Sequence, residues 1–333
     1  MRVTAVSGGI GGARFLRGLL AVLGADDEVV VVGNTADDIW LFGLKVCPDL
    51  DTVMYTLGGG IDDERGWGRR DETWSAKAEL AAYGVQPTWF GLGDRDLATH
   101  LVRTQMLQAG YPLSQVTAAL AARWLTSLRP AVRLLPMSDD RVETHVVVDD
   151  GEGRRAVHFQ EYWVRLRAQV PTYDVVVVGQ AESTPAPGVL EAVADCDVLL
   201  LPPSNPVVSV GTVLGVPGMA EAVRATTAPV VGLSPIVGGG AVRGMADPLL
   251  RALGVEVSAA AVALRYGARS AGGQDVDDIE NADRGQGLQY EHDKQGLGEP
   301  RERDIPEKLE GPGPVHARRF IKLAGYLLQR GQQ

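Results

Sequence analysis

The chain has 333 residues, 45% of them apolar and 22% charged, with a formal net charge of −10. That length buries a substantial core in one large or two modest domains. The acidic balance argues against a nucleic-acid partner, because neutralising phosphates takes a basic surface; a few local donors still suffice for a phosphorylated small molecule.

Cys47 and Cys196 are the only cysteines, with neither a disulfide framework nor the spacing of a zinc site. Met1–Ser7 lacks the shape of a signal peptide, and no apolar run approaches the roughly 20 residues of a membrane span. A cytoplasmic location is expected.

Val3–Val6 reads as a strand, and the glycine run Gly8, Gly9, Gly11 and Gly12 follows it. Leu16, Leu19, Leu20 and Leu23 then recur at helical spacing. Glu28–Val32 is a second strand, ending at Gly33-Asn34-Thr35. Strand, glycine loop, helix, strand is a βαβ unit and implies a parallel sheet. Glycines let backbone approach a ligand, and a helix N-terminus offers free N–H groups to an anion, so these glycines and Arg14 are candidate binding residues. The spacing is a poor dinucleotide fingerprint: Arg14 stands where a small residue is expected, and Asn34-Thr35 replaces the ribose-binding acid. A tight turn without a ligand is the other reading.

Asp37 and Asp38 follow the second strand. They suit Mg²⁺ binding or proton abstraction, or form a solvated acidic turn. In Cys47-Pro48-Asp49-Leu50-Asp51-Thr52, Pro48 and Asp49 resemble the start of a helix, with Asp49 or Asp51 as its N-cap. Asp49 comes within reach of Asp37 and Asp38 in any tight βα arrangement, and three converging carboxylates need a cation. Cys47 reads as a small buried residue. Gly66-Trp67-Gly68-Arg69-Arg70 and Trp74 either cover a flat aromatic ligand or pack ordinarily.

Gly91–His100 is a polar island holding Asp94, Arg95 and Asp96. Arg95 suits a phosphate or carboxylate, or a surface pair with Asp, and His100 reads as a structural hydrogen-bonding residue. Leu113, Val116, Leu120 and Trp124 mark a helix with Ser114 as N-cap. Ser138 and Asp139 follow another apolar run. Thr144–Val148 and Ala156–Phe159 form a hairpin. Asp174–Gly179, Asp197–Leu201 and Pro229–Leu233 read as buried parallel strands. The loops beyond them supply Ser204, Asn205, Ser209 and Gly238, with Arg243 nearby. In open α/β sheets ligands bind beyond the carboxyl ends of the strands, so these loops point to one shared pocket.

The expected architecture is a doubly wound, mostly parallel α/β sheet over residues 1–270, with a smaller helical and hairpin insertion at about 60–165. From about Ser270 to Pro314 polar residues dominate, so 271–333 reads as a mobile segment, with a weak helix at His316–Leu328.

Together the strings Ser7–Arg14, Gly33–Asp38, Cys47–Thr52, Gly91–His100, Pro136–Asp140, Phe159–Val164, Pro202–Gly211 and Leu233–Gly244 resemble, in order, the 2-phospho-L-lactate transferase family, including its actinobacterial phosphoenolpyruvate-using branch. The resemblance implies a Rossmann-like enzyme of the substituted-phosphate phosphotransferase class. Its reaction joins a phosphorylated three-carbon acid, carried on guanosine diphosphate, to the ribityl hydroxyl of the deazaflavin Fo. GMP leaves and (dehydro) coenzyme F-420-0 forms. It further implies Mg²⁺ among Asp37, Asp38 and Asp49, with Arg95 as a further catalytic residue. Asp49 and the Asp94–Asp96 island should face the deazaflavin and the Ser204-Asn205 loop the guanosine; Thr52 is a further binding candidate, and the chain should form a homodimer. The competing readings are a nucleotide-sugar-binding regulator sharing the glycine opening, and a nicotinamide-dependent oxidoreductase. The sequence departs from the family pattern after about Arg269.

Overall fold

The computed structural model describes residues 1–151 and 153–267, all within one compact unit. The polar stretch at 270–314 and the helix expected at His316–Leu328 lie outside the described residues.

The chain opens with β1 (Arg2–Ser7), α1 (Gly9–Leu20) and β2 (Glu28–Gly33). β2 runs parallel to β1, in register from Arg2 opposite Glu28 to Ser7 opposite Gly33. The 3.6-residue apolar stripe of α1 buries Phe15, Leu16 and Leu19. A short antiparallel pair, β3 (Ile39–Leu41) and β4 (Leu44–Val46), leads into α2 (Pro48–Leu57). Pro48 takes the first helical position of α2, where its missing N–H costs nothing. Three helices follow: α3 (Ser75–Ala82), α4 (Asp94–Gln108) and α5 (Leu113–Leu125).

β5 (Ala131–Pro136) then returns to the main sheet beside β2. A separate antiparallel sheet comprises β6 (Glu143–Asp149), β7 (Arg154–His158) and β8 (Thr172–Val178), with a π-helical turn at Glu161–Arg165. The chain continues through α6 (Val189–Ala194), β9 (Val198–Leu201), α7 (Val210–Leu214), α8 (Met219–Ala225) and β10 (Val230–Gly232). It closes with the small hairpin β11 (Ile236–Val237) and β12 (Gly240–Ala241), then α9 (Ala246–Ala252) and α10 (Ala259–Arg265).

The central sheet has five parallel strands in the order β10-β9-β1-β2-β5. The expected doubly wound α/β sheet is present. The chain winds outward from β1 through β2 to β5, then returns to β9 on the other side of β1 and continues to β10. The strand order therefore reverses between β1 and β9, and a crevice opens there beyond Ser7 and Leu201. Val6, Val32, Leu199 and Leu201 pack against Val189, Val193 and Met219 on one face of the sheet. Truncating a side chain as enclosed as Leu199 to Ala costs about 2–5 kcal/mol. A second cluster joins Val146, Val148 and Val157 to Phe159, Tyr162, Leu249 and Leu250.

Three expectations need correction. The interval 60–165 is no single insertion, because β5 lies within it and forms an edge of the main sheet. The run at Asp174–Gly179 is an antiparallel edge strand with Val176 and Val178 exposed; a valine-rich run alone does not reveal which faces are covered. Ser114 is the second residue of α5 rather than its N-cap, and Pro112 holds the cap position.

Candidate active site

The crevice is assembled by close backbone approach. A Cβ on Gly8 would lie 2.4 Å from Asp49 Oδ2 and 2.8 Å from Ser209 Cβ. One on Gly12 would lie 2.1 Å from Ser7 Oγ and 2.3 Å from Ser204 Oγ, and one on Gly11 would lie 2.6 Å from the Pro203 carbonyl oxygen. Glycine is what lets α1 settle against α2 and the β9–α7 loop. The Gly8 N–H donates to Ser204 Oγ at 3.2 Å. Gly8, Gly12, Asp49, Ser204 and Ser209, widely separated in sequence, thus meet at the strand-order reversal.

Asn34, fully buried at the tip of β2, ties these parts together. Its Nδ2 donates to Asp49 Oδ2 at 2.9 Å and to the Val208 carbonyl at 3.1 Å. Its Oδ1 accepts from the Ala36 N–H at 3.0 Å and from Thr212 Oγ1 at 2.7 Å. All four hydrogen-bonding positions of the amide are used within the protein, so Asn34 orients Asp49 and the Val208 loop.

The three aspartates form a buried acidic floor. Burial, then the charges of Asp49 and Asp38, push the Asp37 carboxyl well above the ordinary range. Burial likewise raises Asp49, to about 6, against the opposing effects of Asn34 and the Gly9 amide. Asp38 is raised by burial, with Lys45 the largest opposing influence; Lys45 Nζ stands 3.3 Å from Asp38 Oδ2. Asp37 Oδ1 and the neighbouring Thr35 Oγ1 are buried without a hydrogen-bond partner among the described residues.

The second sheet grips the loop that carries Asp37 and Asp38. Gln160 Nε2 donates to the Asp37 carbonyl and His158 Nε2 to the Asp38 carbonyl, both at 3.2 Å. The Gln160 N–H donates to His158 Nδ1 at 3.1 Å, which fixes the imidazole as the Nε2–H tautomer. The Thr144 N–H completes the grip on the Ala36 carbonyl at 2.7 Å.

Sequence reasoning missed a buried relay behind this floor. Arg103 pairs with Asp51, and its Nη1 also donates to His100 Nδ1 at 3.1 Å. The ring proton therefore sits on Nε2, 3.3 Å from Asp96 Oδ2. Tyr55 donates to Asp96 Oδ1 at 2.7 Å. Burial opposes the Asp96 charge, but His100, Tyr55 and Arg103 outweigh it and hold the carboxyl below the ordinary range. Asp96, His100 and Arg103 recur at i, i+4 and i+7 on α4, a helical stripe that was available in the sequence. Asp51 belongs to this relay and is not an N-cap. Cys47 is buried as expected, with its thiol pushed well up by burial, which suits no nucleophile.

Several candidates also bond within the protein. Asp94 receives Thr73 Oγ1 at 2.6 Å and the Ser75 and Ala76 N–H groups at 3.0 and 2.9 Å, so it caps α3. The Glu72 carboxylate receives the Arg95 and Asp96 N–H groups at 2.6 and 3.1 Å and fills the N-terminus of α4. The Arg95 guanidinium is half exposed, bonded to the Arg70 carbonyl at 3.2 Å. Asp139 accepts from the Ser114 N–H at 2.5 Å and from Ser114 Oγ at 2.9 Å. Ser138 is buried, donating to the Thr184 carbonyl at 2.6 Å. Gly238 and Gly239 carry φ of 62° and 81° in the β11–β12 turn, a conformation that explains both glycines without a ligand. Asn205 Oδ1 accepts from the Val207 and Val208 N–H groups at 2.9 and 3.2 Å and shapes its own loop. Thr52 is buried on α2, and Arg14 is exposed on α1.

Among the described residues no three His, Cys, Asp or Glu side chains are gathered as a ready-made metal cage. Mg²⁺ commonly takes one or two carboxylates and completes its shell with water and substrate phosphates, and the all-oxygen floor of Asp37, Asp38 and Asp49 fits that pattern. No helix among the described residues is long and apolar enough to cross a membrane.

A doubly wound α/β fold with a glycine-lined, acid-floored crevice at its switch point defines a ligand-binding class of protein. The comparisons narrow it. The family model described as 2-phospho-L-lactate transferase CofD matches residues 3–299, and the chain belongs to that family, a transferase of coenzyme F-420 biosynthesis. It is 70% identical over 267 residues to the phosphoenolpyruvate transferase of Kitasatospora aureofaciens, covering 80% of this chain and 82% of that protein. The phosphoenolpyruvate transferase of Streptomyces coelicolor is 65% identical over 281 residues, 84% of this chain and 86% of that one. A crystal structure of a Bacillus halodurans protein aligns over 75% of each chain with a TM-score of 0.51 at 20% identity, a likeness of fold alone. Membership of an enzyme family sets aside the regulator and the nicotinamide oxidoreductase.

Proposed function

We propose that the chain transfers a phosphoenolpyruvyl group from a guanosine-diphosphate-linked donor to the terminal ribityl hydroxyl of the deazaflavin Fo, with release of GMP. The names of its relatives favour the enolpyruvyl over the lactyl donor. The observation that carries the reading is the buried acidic floor: burial raises all three carboxyls, and neighbouring carboxylates add to the rise at Asp37 and Asp49, beside a crevice at the α1 N-terminus.

Attack by the hydroxyl at the phosphorus bearing the acid needs positioning and charge stabilisation more than a covalent nucleophile. Asp49 is suited to accept the hydroxyl proton, because a carboxylate at about 6 is mostly ionised at neutral pH yet basic enough to take a proton. The Asp37 carboxyl is raised by burial first and then by the charges of Asp49 and Asp38, and a cation at the floor would favour its ionised form. Asp37, Asp38 and Asp49 would hold Mg²⁺, which would supply charge neutralisation to the transferring group. Asn34 holds Asp49 in position throughout. Ser204, at the Gly8 amide, and Asn205 border the region suited to the nucleotide. Arg95 remains exposed enough to meet an incoming acceptor. We further propose a cytoplasmic homodimer.

The test is to incubate the full chain with Fo, Mg²⁺ and each guanosine-linked donor and to weigh the product. A new mass equal to Fo plus the phosphorylated acid, with GMP in equal amount, supports the reading. Fo recovered unchanged with both donors refutes it.

A further inference from the structure

Two arginines from opposite ends of the described chain converge on one buried glycine. Gly66 lies in the α2–α3 connection with φ +76°, and a Cβ placed there would meet Arg14 Nη2 at 3.1 Å and Arg243 Nη2 at 3.3 Å. Arg14 projects from α1 less than two turns past its N-terminus, on the same exposed side as Gly11. Arg243 follows β12.

Neither guanidinium makes an ion pair among the described residues. Among the described residues Arg14 Nη2 donates to the Asp63 carbonyl, at 3.3 Å, and its charge is the smallest of three arginine influences on the Asp63 carboxylate. The Asp63 carboxylate is turned to Arg17, at 2.7 Å, and to Arg70, at 3.6 Å. Two positive groups held against the same small residue repel each other and create a local potential that an anion relieves. Each presents a planar fork suited to paired oxygens.

The α1 N-terminus is the ordinary seat for a diphosphate in this class of fold, and Arg14, which brings Arg243 beside it at Gly66, stands on α1 little more than a helical turn beyond that terminus. An anion attached to the diphosphate by a short linker reaches that distance; a carboxylate on a three-carbon ester is such an anion. We infer that Arg14 and Arg243 form a clamp for the carboxylate of the donor's three-carbon acid, separate from the groups that hold the diphosphate. This rests on the transferase reading above. The clamp makes the pair specificity-determining: it selects an acid-bearing ester over a neutral one and orients the phosphorus that is attacked.

The test compares two ligands by calorimetry on the full chain with Mg²⁺: GDP carrying lactate on its terminal phosphate, and GDP carrying an ethyl ester there. They share the guanosine and the two phosphates and differ in the carboxylate. The wild type should prefer the lactyl ester by about tenfold to a hundredfold, the range set by hydrogen bonds to a charged group. Arg243→Gln and Arg14→Gln should each remove most of that preference and leave ethyl-ester affinity within about twofold. Both side chains are exposed, so the variants should keep the wild-type circular dichroism and melting temperature. Equal weakening of both ligands would assign the arginines to the diphosphate and overturn the clamp, as would no change in either. Wild-type chain that binds neither ligand would reject the transferase reading itself, a result distinct from either failure of the clamp.

Discussion

Asn34 Nδ2 donates to Asp49 Oδ2 at 2.9 Å while its Oδ1 is held by Ala36 and Thr212, so the amide cannot rotate away from the carboxylate. This bond is one of the few influences that favour the Asp49 charge. Asn34→Ala should therefore raise the Asp49 pKa above about 6 and move the acidic limb of the pH–rate profile upward. Turnover at pH 7 should fall about tenfold to a hundredfold, on the order of a lost hydrogen bond to a charged group. An unmoved acidic limb in kcat/KM would remove Asp49 from the proton-transfer role.

Asp49→Asn should abolish transfer while the protein stays folded. It should also change how stability depends on pH. The folded pKa of Asp49 is raised, so the folded state binds the extra proton and stability falls as pH rises from about 4 through about 6. The full cost, roughly 3 kcal/mol for a shift of about two units, is present above that window. Urea unfolding of wild type and Asp49→Asn at pH 4.5 and pH 8 measures this. The variant should lose less stability between the two pH values than the wild type does.

The Arg103–Asp51 pair is buried, so removing one partner strands a charge. Arg103→Ala should destabilise by about 3–5 kcal/mol, read as a lower urea midpoint. Arg103→Met combined with Asp51→Leu should recover most of that loss. Because the pair sits behind Asp96 and His100, the double variant also asks whether the relay is needed for activity or only for folding.

Gly8→Ala tests the close approach of α1 and α2. The backbone at Gly8 is extended, with φ −153°, and tolerates alanine. Its new methyl would lie 2.4 Å from Asp49 Oδ2, so the carboxylate must move. Overpacking of this kind costs about 1–3 kcal/mol. Activity should fall by more than the stability change explains, measured as kcat at a temperature where both proteins are fully folded.

Much of this arrangement was legible in the sequence, for physical reasons that differ by residue. The β1–α1–β2 unit was clear because a strand period gives way to a 3.6-residue stripe across a run of glycines. The acidic floor was foreseeable because Asp37 and Asp38 follow a strand and a tight βα arrangement brings Asp49, at a helix start, within their reach. What escaped was the destination of polar groups that bond across the fold. Asp139 reads as a ligand contact until Ser114 is found 25 positions away. Asp94 reads as part of a binding island until it is seen to cap α3. Val176 and Val178 look buried because local sequence carries no record of which sheet a strand joins. Lys45 and Arg103 were passed over because a cation reads as a surface group unless its buried carboxylate partner is known.

The grip on the Asp37–Asp38 loop has a practical consequence. His158 and Gln160 hold main-chain carbonyls, which every amino acid possesses, rather than the acidic side chains. The path of that segment is thus encoded in a different strand from the chemistry it displays. Exchanging either carboxylate of that loop leaves in place the bonds that set its main-chain path.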